Sequence, residues 1–344
     1  MMSFACDILD RKNGGVSMSD YSPPYRMTDL MMSLVAEISE KVGAITSWQN
    51  MNANPRLRRS NRIRTIHASL AIENNTLSLE QVTAVVNGKR ILGAPADIRE
   101  VKNAYEAYEQ LLCFNPYSIQ DLQTAHGILM SDLVQEAGCF RTGGVGIFKG
   151  TEVIHMAPPA HLVYTHMENL LQWTKHSKAH PLIKSCVFHY EFEFIHPFAD
   201  GNGRMGRMWN TLLLYQWKPL FAWLPVESII YDRQSSYYES LATADKQADA
   251  TPFVEFMLEA ILDSLTEIED GEQPATNVSP HMRLLLDKID GEALSAAEIM
   301  RRLGLKSRPT FIKNYLHPAL EQGLIEMTIP DKPSSKNQRY RRKG

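Results

Sequence analysis

From Thr28 onward, apolar residues return close to every 3.6 positions. In TDLMMSLVAEISEKVGAI, Leu30, Met31, Val35, Ile38 and Val42 fall on one side, which is the pattern of a helix laying one face on a core. The same rhythm recurs over 62–73, 78–86, 95–112, 118–133, 158–176, 181–198, 203–217, 235–247 and 251–268. One stretch departs from it. In RTGGVGIFKGTEVIHMAPP, Val145, Ile147 and Phe148 precede Lys149-Gly150, and Val153, Ile154 and His155 follow; two short apolar runs about a glycine turn predict a β-hairpin. The expected fold class is mainly α, a helical domain with one small hairpin at its rim.

The chain ends read differently. The Gly, Ser and Pro of the first 25 residues predict an arm over 1–27 that lies on the surface or stays mobile. The helical domain then spans 28–268, and EDGEQPATNV at 269–278 interrupts the periodicity as a linker. Beyond it, HMRLLLDKI, SAAEIMRRLG and RPTFIKNYLHPALEQG predict three helices, with LIEMTI and RYRR as a terminal hairpin. Three helices and a wing is the order of a winged helix-turn-helix domain, placed at 279–344.

Composition narrows the function classes. With 344 residues, 44% hydrophobic, the chain has room for one large core and a small second one. A net charge of -3 gives no overall attraction to nucleic acid or an anionic membrane. Cys6, Cys113, Cys139 and Cys186 lack CxxC spacing, which argues against a disulfide framework or thiolate zinc site and for buried free thiols. Acidic residues interrupt the N-terminus before any leader-like apolar run, and no window of about 18 uncharged apolar residues exists. A reducing, cytoplasmic setting without membrane contact is the expectation.

The chemistry concentrates in His196-Pro197-Phe198-Ala199-Asp200-Gly201-Asn202-Gly203-Arg204-Met205-Gly206-Arg207, between two helical segments. Pro197 restricts the turn, and Gly201 and Gly203 let the backbone approach a ligand. Their amides, with the first turn of the next helix, can converge on an anion. His196 suits a general base and Asp200 a magnesium ligand acting beside substrate phosphates. Asn202 can donate to a phosphate oxygen, while Arg204 and Arg207, at i and i+3, can present guanidinium forks to outer phosphates. Phe198 is the expected anchor of the turn in the core. Any one of these residues alone would suit an ordinary helical corner; their concentration in twelve positions points to phosphate chemistry.

This stretch is similar to the signature of the Fic family, His-x-Phe-x-Asp/Glu-Gly-Asn-Gly-Arg-x-x-Arg, at every defined position, and the resemblance covers 28 to about 265. It implies an enzyme that binds ATP with Mg²⁺ and transfers AMP to a Ser, Thr or Tyr hydroxyl of a target protein or of itself, releasing pyrophosphate. It also implies His196 as the base and Asp200 as the metal ligand. Gly201, Asn202 and Gly203 would cradle the phosphates, and Arg204 and Arg207 would orient the β and γ groups. The phosphorylating branch of the family has lysine where this chain has Gly203 and lacks the last arginine, so the resemblance is to the AMP-transferring branch.

Upstream, Ser69 and Glu73 share a helix face, with Asn74 and Asn75 as candidate C-terminal caps. Ser69-Leu70-Ala71-Ile72-Glu73-Asn74 resembles the family's inhibitory pattern Ser/Thr-x-x-x-Glu-Gly/Asn. The resemblance implies an inhibitory helix over 60–74 in which Glu73 pairs with Arg207 and fills the place of a γ-phosphate. Some relatives bearing this glutamate also remove AMP, so de-AMPylation stands as an alternative main activity.

The hairpin region, Gly146, Ile147, Phe148, Lys149, Gly150 and Thr151, resembles the family's flap that pairs with an extended target. Its GGVGIFKG run fails as a dinucleotide fingerprint, because Lys149 stands where the third glycine belongs. Tyr231, Tyr237 and Tyr238 are candidates for the adenine side, with a core role as the plainer reading. From Asp331 to Gly344 six basic residues face one acid, a net of +5, which attracts phosphate backbone. The segment containing Arg308, Lys313 and Asn314 carries little charge. Protein interaction or homodimerisation is therefore favoured over DNA binding. The rival from another class is a winged-helix DNA-binding regulator whose helical domain senses ATP; a sensor has no need of a base at His196.

Overall fold

A computed structural model describes residues 21–47, 55–144, 146–149, 152–269, 280–289, 293–305, 307–321, 324–329, 335 and 338–342, with the backbone alone along the hairpin strands. The chain divides into two compact units, Met1–Gly271 and Glu272–Gly344.

The first unit is helical. Its elements are α1 (Asp29–Ser47), α2 (Pro55–Ile72), α3 (Leu79–Val86), α4 (Pro95–Gln110), α5 (Ile119–Leu129), β1 (Gly146–Lys149), β2 (Glu152–Met156), α6 (Val163–His176), α7 (Pro181–Ile195), α8 (Asn202–Trp217), α9 (Val226–Asp232), α10 (Gln234–Gln247) and α11 (Thr251–Glu269). Local chemistry sets several starts. Ser78 and Gln81 close a capping box on α3, Ser118 caps α5, and Pro95 and Pro181 open α4 and α7 where a missing N–H costs nothing.

Helix α7 is the axis of the unit. Leu182, Ile183, Cys186, Val187 and Tyr190 pack into one apolar cluster with α1 and α11, whereas Phe188, Phe192 and Ile195 pack into a second with α2, α4, α5, α6 and α8. Phe194 is its one exposed residue, and burial on both sides fixes where its C-terminus, and so His196, must lie. Helix α2 is the converse case. It buries Asn61, Arg62, Thr65 and Ser69, and Arg62 stacks over Tyr108 and Trp223 at 5.1 and 4.8 Å. Aromatic faces take the place of water around its cation.

Strands β1 and β2 pair antiparallel, Gly146 opposite Met156 and Lys149 opposite Glu152, with an irregularity between Ile147 and Phe148. The flap positions Gly150 and Thr151 lie outside the described residues. Of the expected arm, residues 21–27 are held on the domain: Tyr21 donates to Glu191 at 2.9 Å, Ala250 N–H donates to the Pro24 carbonyl at 2.8 Å, and Tyr25 meets Trp173 edge-on.

The second unit has its own core. Helices α12 (Pro280–Ile289), α13 (Ala296–Arg302), α14 (Arg308–Phe311) and α15 (His317–Glu321) gather Leu285, Ile289, Ile299, Phe311 and Leu316. A π-turn, Ile312–Leu316, joins α14 to α15. Strands β3 (Ile325–Met327) and β4 (Tyr340–Arg342) pair antiparallel and add Ile325 and Tyr340.

The expectation of buried thiols needs correction. Of Cys113, Cys139 and Cys186, Cys186 alone is buried, and Cys113 is exposed at the end of the 3₁₀ turn after α4, whose Leu111 takes the core position. Among the described residues no helix is long and apolar enough to cross a membrane.

Candidate active site

The twelve-residue motif forms the corner between α7 and α8. Helix α7 stops at Ile195 because His196 takes a left-handed backbone, φ 50° and ψ 60°. Gly201, at φ 82°, opens α8; a Cβ there would lie 2.6 Å from the Met130 sulfur, so glycine is required for both conformation and space. Phe198 is fully buried and stacks on His126 with centroids 3.7 Å apart. Full burial of such a side chain contributes about 1.5–3 kcal/mol, which nails the corner to the second cluster.

His126 also bonds the loop. Its Nδ1 accepts from the Gly138 N–H at 2.9 Å, so the neutral ring carries its proton on Nε2 and donates to the Asp200 carbonyl at 2.9 Å. Burial pushes its pKa down to about 4, which keeps the ring neutral at pH 7. Asn202 closes the turn from the other side, exchanging hydrogen bonds of 2.9 Å with both the N–H and the carbonyl of Phe198. The amide oxygen and one amide N–H of Asn202 thereby shape the loop.

The functional groups then converge. His196, Gly203, Arg207 and Glu73 line one cavity of about 790 Å³ together with Tyr237 and Tyr238, a size usual for ligand sites. His196 Nδ1 lies 3.3 Å from the Glu193 carbonyl; donation there leaves Nε2 as the basic nitrogen. Asp200 is 61% exposed and is not among the residues that line this cavity; its Oδ1 accepts from the Gly201 N–H at 2.6 Å. Arg204 is buried, donating from Nη1 to Glu100 at 2.8 Å and from Nη2 to Asp200 at 3.3 Å.

Arg207 is 1% exposed and fully engaged on one side. It donates to the Ser69 hydroxyl at 3.1 Å, to the Ser69 carbonyl at 2.9 Å and to Glu73 Oε1 at 2.7 Å. Burial alone would lower the guanidinium pKa; the Glu73 carboxylate beside it holds it above the ordinary arginine value. Glu73 follows the last turn of α2, and the chain leaves through Asn74 at φ 68°, a backbone that asparagine tolerates better than most residues. Asn75 N–H caps the Leu70 carbonyl, and the Ile72 carbonyl accepts from Gln234 at 2.9 Å and Tyr238 at 3.2 Å. A Cβ on Gly203 would collide with Glu73 Oε1, so the carboxylate rests directly against the first turn of α8.

Of the three tyrosine candidates, Tyr237 and Tyr238 line the cavity, whereas Tyr231 meets His67 edge-on at 6.0 Å. The sequence reading did not pick out Glu100, His126, Arg141 or Gln234, each a single polar residue in an otherwise ordinary helical or loop segment. Among the described residues no group of three or more His, Cys, Asp or Glu could hold a metal by itself. Asp200 alone, exposed beside the convergent amides, fits a magnesium ion whose other ligands come from phosphate and water.

Known proteins place this geometry. Residues 116–214 match the model of the Fic/DOC family, and 280–342 match that of the Filamentation induced by cAMP protein Fic-like, C-terminal domain. A Fic family protein of Desulfovibrio desulfuricans G20 with a solved crystal structure is 55% identical, the match covering 94% of this chain and 99% of that one, with a TM-score of 0.71. The chain belongs to the Fic family. Fic-1 of Caenorhabditis elegans, residues 134–508, shares the fold at 21% identity and a TM-score of 0.56 over 72% of this chain and 73% of that one. Protein adenylyltransferase fic-1 of Caenorhabditis briggsae is 27% identical over 71% of this chain, and Protein adenylyltransferase Fic of Aedes aegypti 28% over 64%. The chain spans 50% and 44% of those two proteins, about half the length of the curated relatives it matches.

Proposed function

We propose that this Fic protein is a protein adenylyltransferase that moves AMP from Mg-ATP to a Ser, Thr or Tyr hydroxyl, on a target protein or on itself, and that Glu73 holds it at rest. The observation that carries the reading is a single cavity containing His196, Gly203 and Arg207, with the Glu73 carboxylate 2.7 Å from the arginine that would receive the outer phosphates.

Each residue has a physical task. The N–H groups of Asn202 and Gly203 meet triphosphate oxygens at the start of α8, where the helix dipole favours negative charge, while the Gly201 N–H holds the Asp200 carboxylate beside them. Arg204 and Arg207 neutralise charge accumulating on departing pyrophosphate. His196 Nε2 takes the proton of the target hydroxyl as its oxygen attacks the α-phosphorus, and the bond from that phosphorus to the β-phosphate oxygen breaks. Asp200 would hold a magnesium ion that comes with the triphosphate, and that ion would supply further charge neutralisation. Tyr237 and Tyr238 face the nucleoside end.

Glu73 is attractive to Arg207 and repulsive to a γ-phosphate. While it is in place, the α2 helix excludes the productive pose of the triphosphate. The hairpin of β1 and β2 offers backbone pairing to an extended target segment, and the C-terminal unit, read as a winged helix, selects or recruits the target.

The test is transfer from α-labelled ATP by wild type, Glu73→Gly and Glu73→Gly/His196→Ala. Strong labelling by Glu73→Gly and none by the double variant is expected. Label retained without His196 would end the proposal.

A further inference from the structure

The buried guanidinium of Arg141 has no role in the reading above. Arg141 lies between α5 and β1, is 3% exposed, and gives its side-chain hydrogen bonds to backbone carbonyls. Nε donates to the His196 carbonyl at 2.7 Å, Nη1 to Gly143 at 2.9 Å, and Nη2 to Pro158 at 2.5 Å and Ile195 at 3.2 Å. Its own N–H donates to the Pro197 carbonyl at 2.9 Å.

These acceptors belong to three places that must agree. Gly143 precedes β1 and Pro158 follows β2, so they are the two feet of the hairpin. Ile195 and His196 are the end of α7, where carbonyls left unpaired by the helix carry negative partial charge. His196 also has a left-handed backbone, a conformation that costs a non-glycine residue free energy and persists where its surroundings over-determine it. The Nε bond to the His196 carbonyl is one such determinant. A planar fork with five fixed donors can satisfy this divergent set, and an ammonium cannot.

We propose that Arg141 is a positioning residue that fixes the hairpin relative to the His196 imidazole, so that a hydroxyl presented on a strand paired to the hairpin arrives within reach of Nε2. The inference rests on the AMP-transfer reading. Nucleotide binding, by contrast, uses the start of α8 and its arginines and does not need Arg141.

The test uses the full chain carrying Glu73→Gly, compared with Arg141→Lys and Arg141→Ala in that background. Calorimetry with magnesium and a non-hydrolysable α,β-methylene ATP gives affinity, α-labelled ATP gives transfer to protein, and NMR follows the His196 imidazole, assigned by its loss in His196→Ala. Affinity should stay within about threefold, while transfer falls about 100-fold, the scale of a displacement near 1 Å between reacting groups. The His196 signal should move in Arg141→Lys, and added guanidinium ion should recover part of the transfer in Arg141→Ala. Affinity and transfer falling together, or transfer unchanged, would overturn the proposal. So would an unmoved His196 signal in Arg141→Lys. If Glu73→Gly itself transfers no AMP, the adenylyltransferase reading fails by that result, and the imidazole signal still decides the role of Arg141.

Discussion

Replacing Glu73 by glycine should convert a nearly silent enzyme into an active one, and the size of the change follows from the contact it removes. The carboxylate makes one short bond, 2.7 Å, to a guanidinium that is 1% exposed, and is itself 30% exposed. Hydrogen bonds to charged groups contribute about 1.5–3 kcal/mol. If that energy separates the closed pose from the pose open to ATP, the open fraction is roughly 1 in 10 to 1 in 150 at 1.4 kcal/mol per decade. Transfer at subsaturating ATP should therefore rise by about 10- to 150-fold in Glu73→Gly. Arg207 keeps its two bonds to Ser69 in the variant, so the loss of stability should match the contact removed, about 1.5–3 kcal/mol, and fall short of the roughly 3–5 kcal/mol of a buried charge left without any partner. The assay is the initial rate of label incorporation from α-labelled ATP, with thermal melting as control. Rates within twofold of each other, in proteins that both lose activity with His196→Ala, would refute the reasoning.

Other outcomes follow from the same geometry. Gly201→Ala forces a side chain into φ 82° and against Met130, and should cost about 1–3 kcal/mol in denaturant unfolding. Asp200→Ala in the Glu73→Gly background should abolish magnesium-dependent transfer while leaving the fold intact by circular dichroism, since this carboxylate is exposed. Glu191 is a carboxyl that burial raises to about 7, with its hydrogen bond from Tyr21 pulling the other way. The folded state holds that proton over pH 4.5 to 7 where the unfolded chain has lost it, so its contribution to stability is present below pH 4.5 and is lost as pH rises through 7. Glu191→Gln should melt with a correspondingly weaker fall between pH 5 and 8. His126, depressed to about 4, acts with opposite sign: its contribution is present above pH 6.5 and is lost on acidification toward 4. His126→Phe should keep the stack on Phe198, remove that acid sensitivity, and still lower transfer by losing the bond to Asp200.

The helices of α1, α7, α8 and α11 were legible because their apolar spacing matches the faces they bury. The first turn of α2, residues 55–59, was not, since PRLRR carries one apolar residue among its arginines and shows no period. Helix α9 escaped notice because seven residues hold too few repeats of a 3.6 period. At the site, chemistry packed into twelve consecutive positions could be read directly. The partners that orient it could not: Glu100, His126 and Arg141 come from separate segments, and nothing in a lone polar residue announces which carbonyl or guanidinium it will meet. Asn202 is a related case, because its place in the motif does not announce the two hydrogen bonds that its amide makes to the loop itself.

The most direct measurement is the intact mass of Glu73→Gly after incubation with Mg-ATP, alone and with candidate target protein, alongside Glu73→Gly/His196→Ala. A gain of one or more AMP units on a protein, absent when His196 is removed, is the predicted result. Unchanged masses, or a gain of phosphate without adenosine, would contradict attack at the α-phosphorus and the role assigned to the corner between α7 and α8.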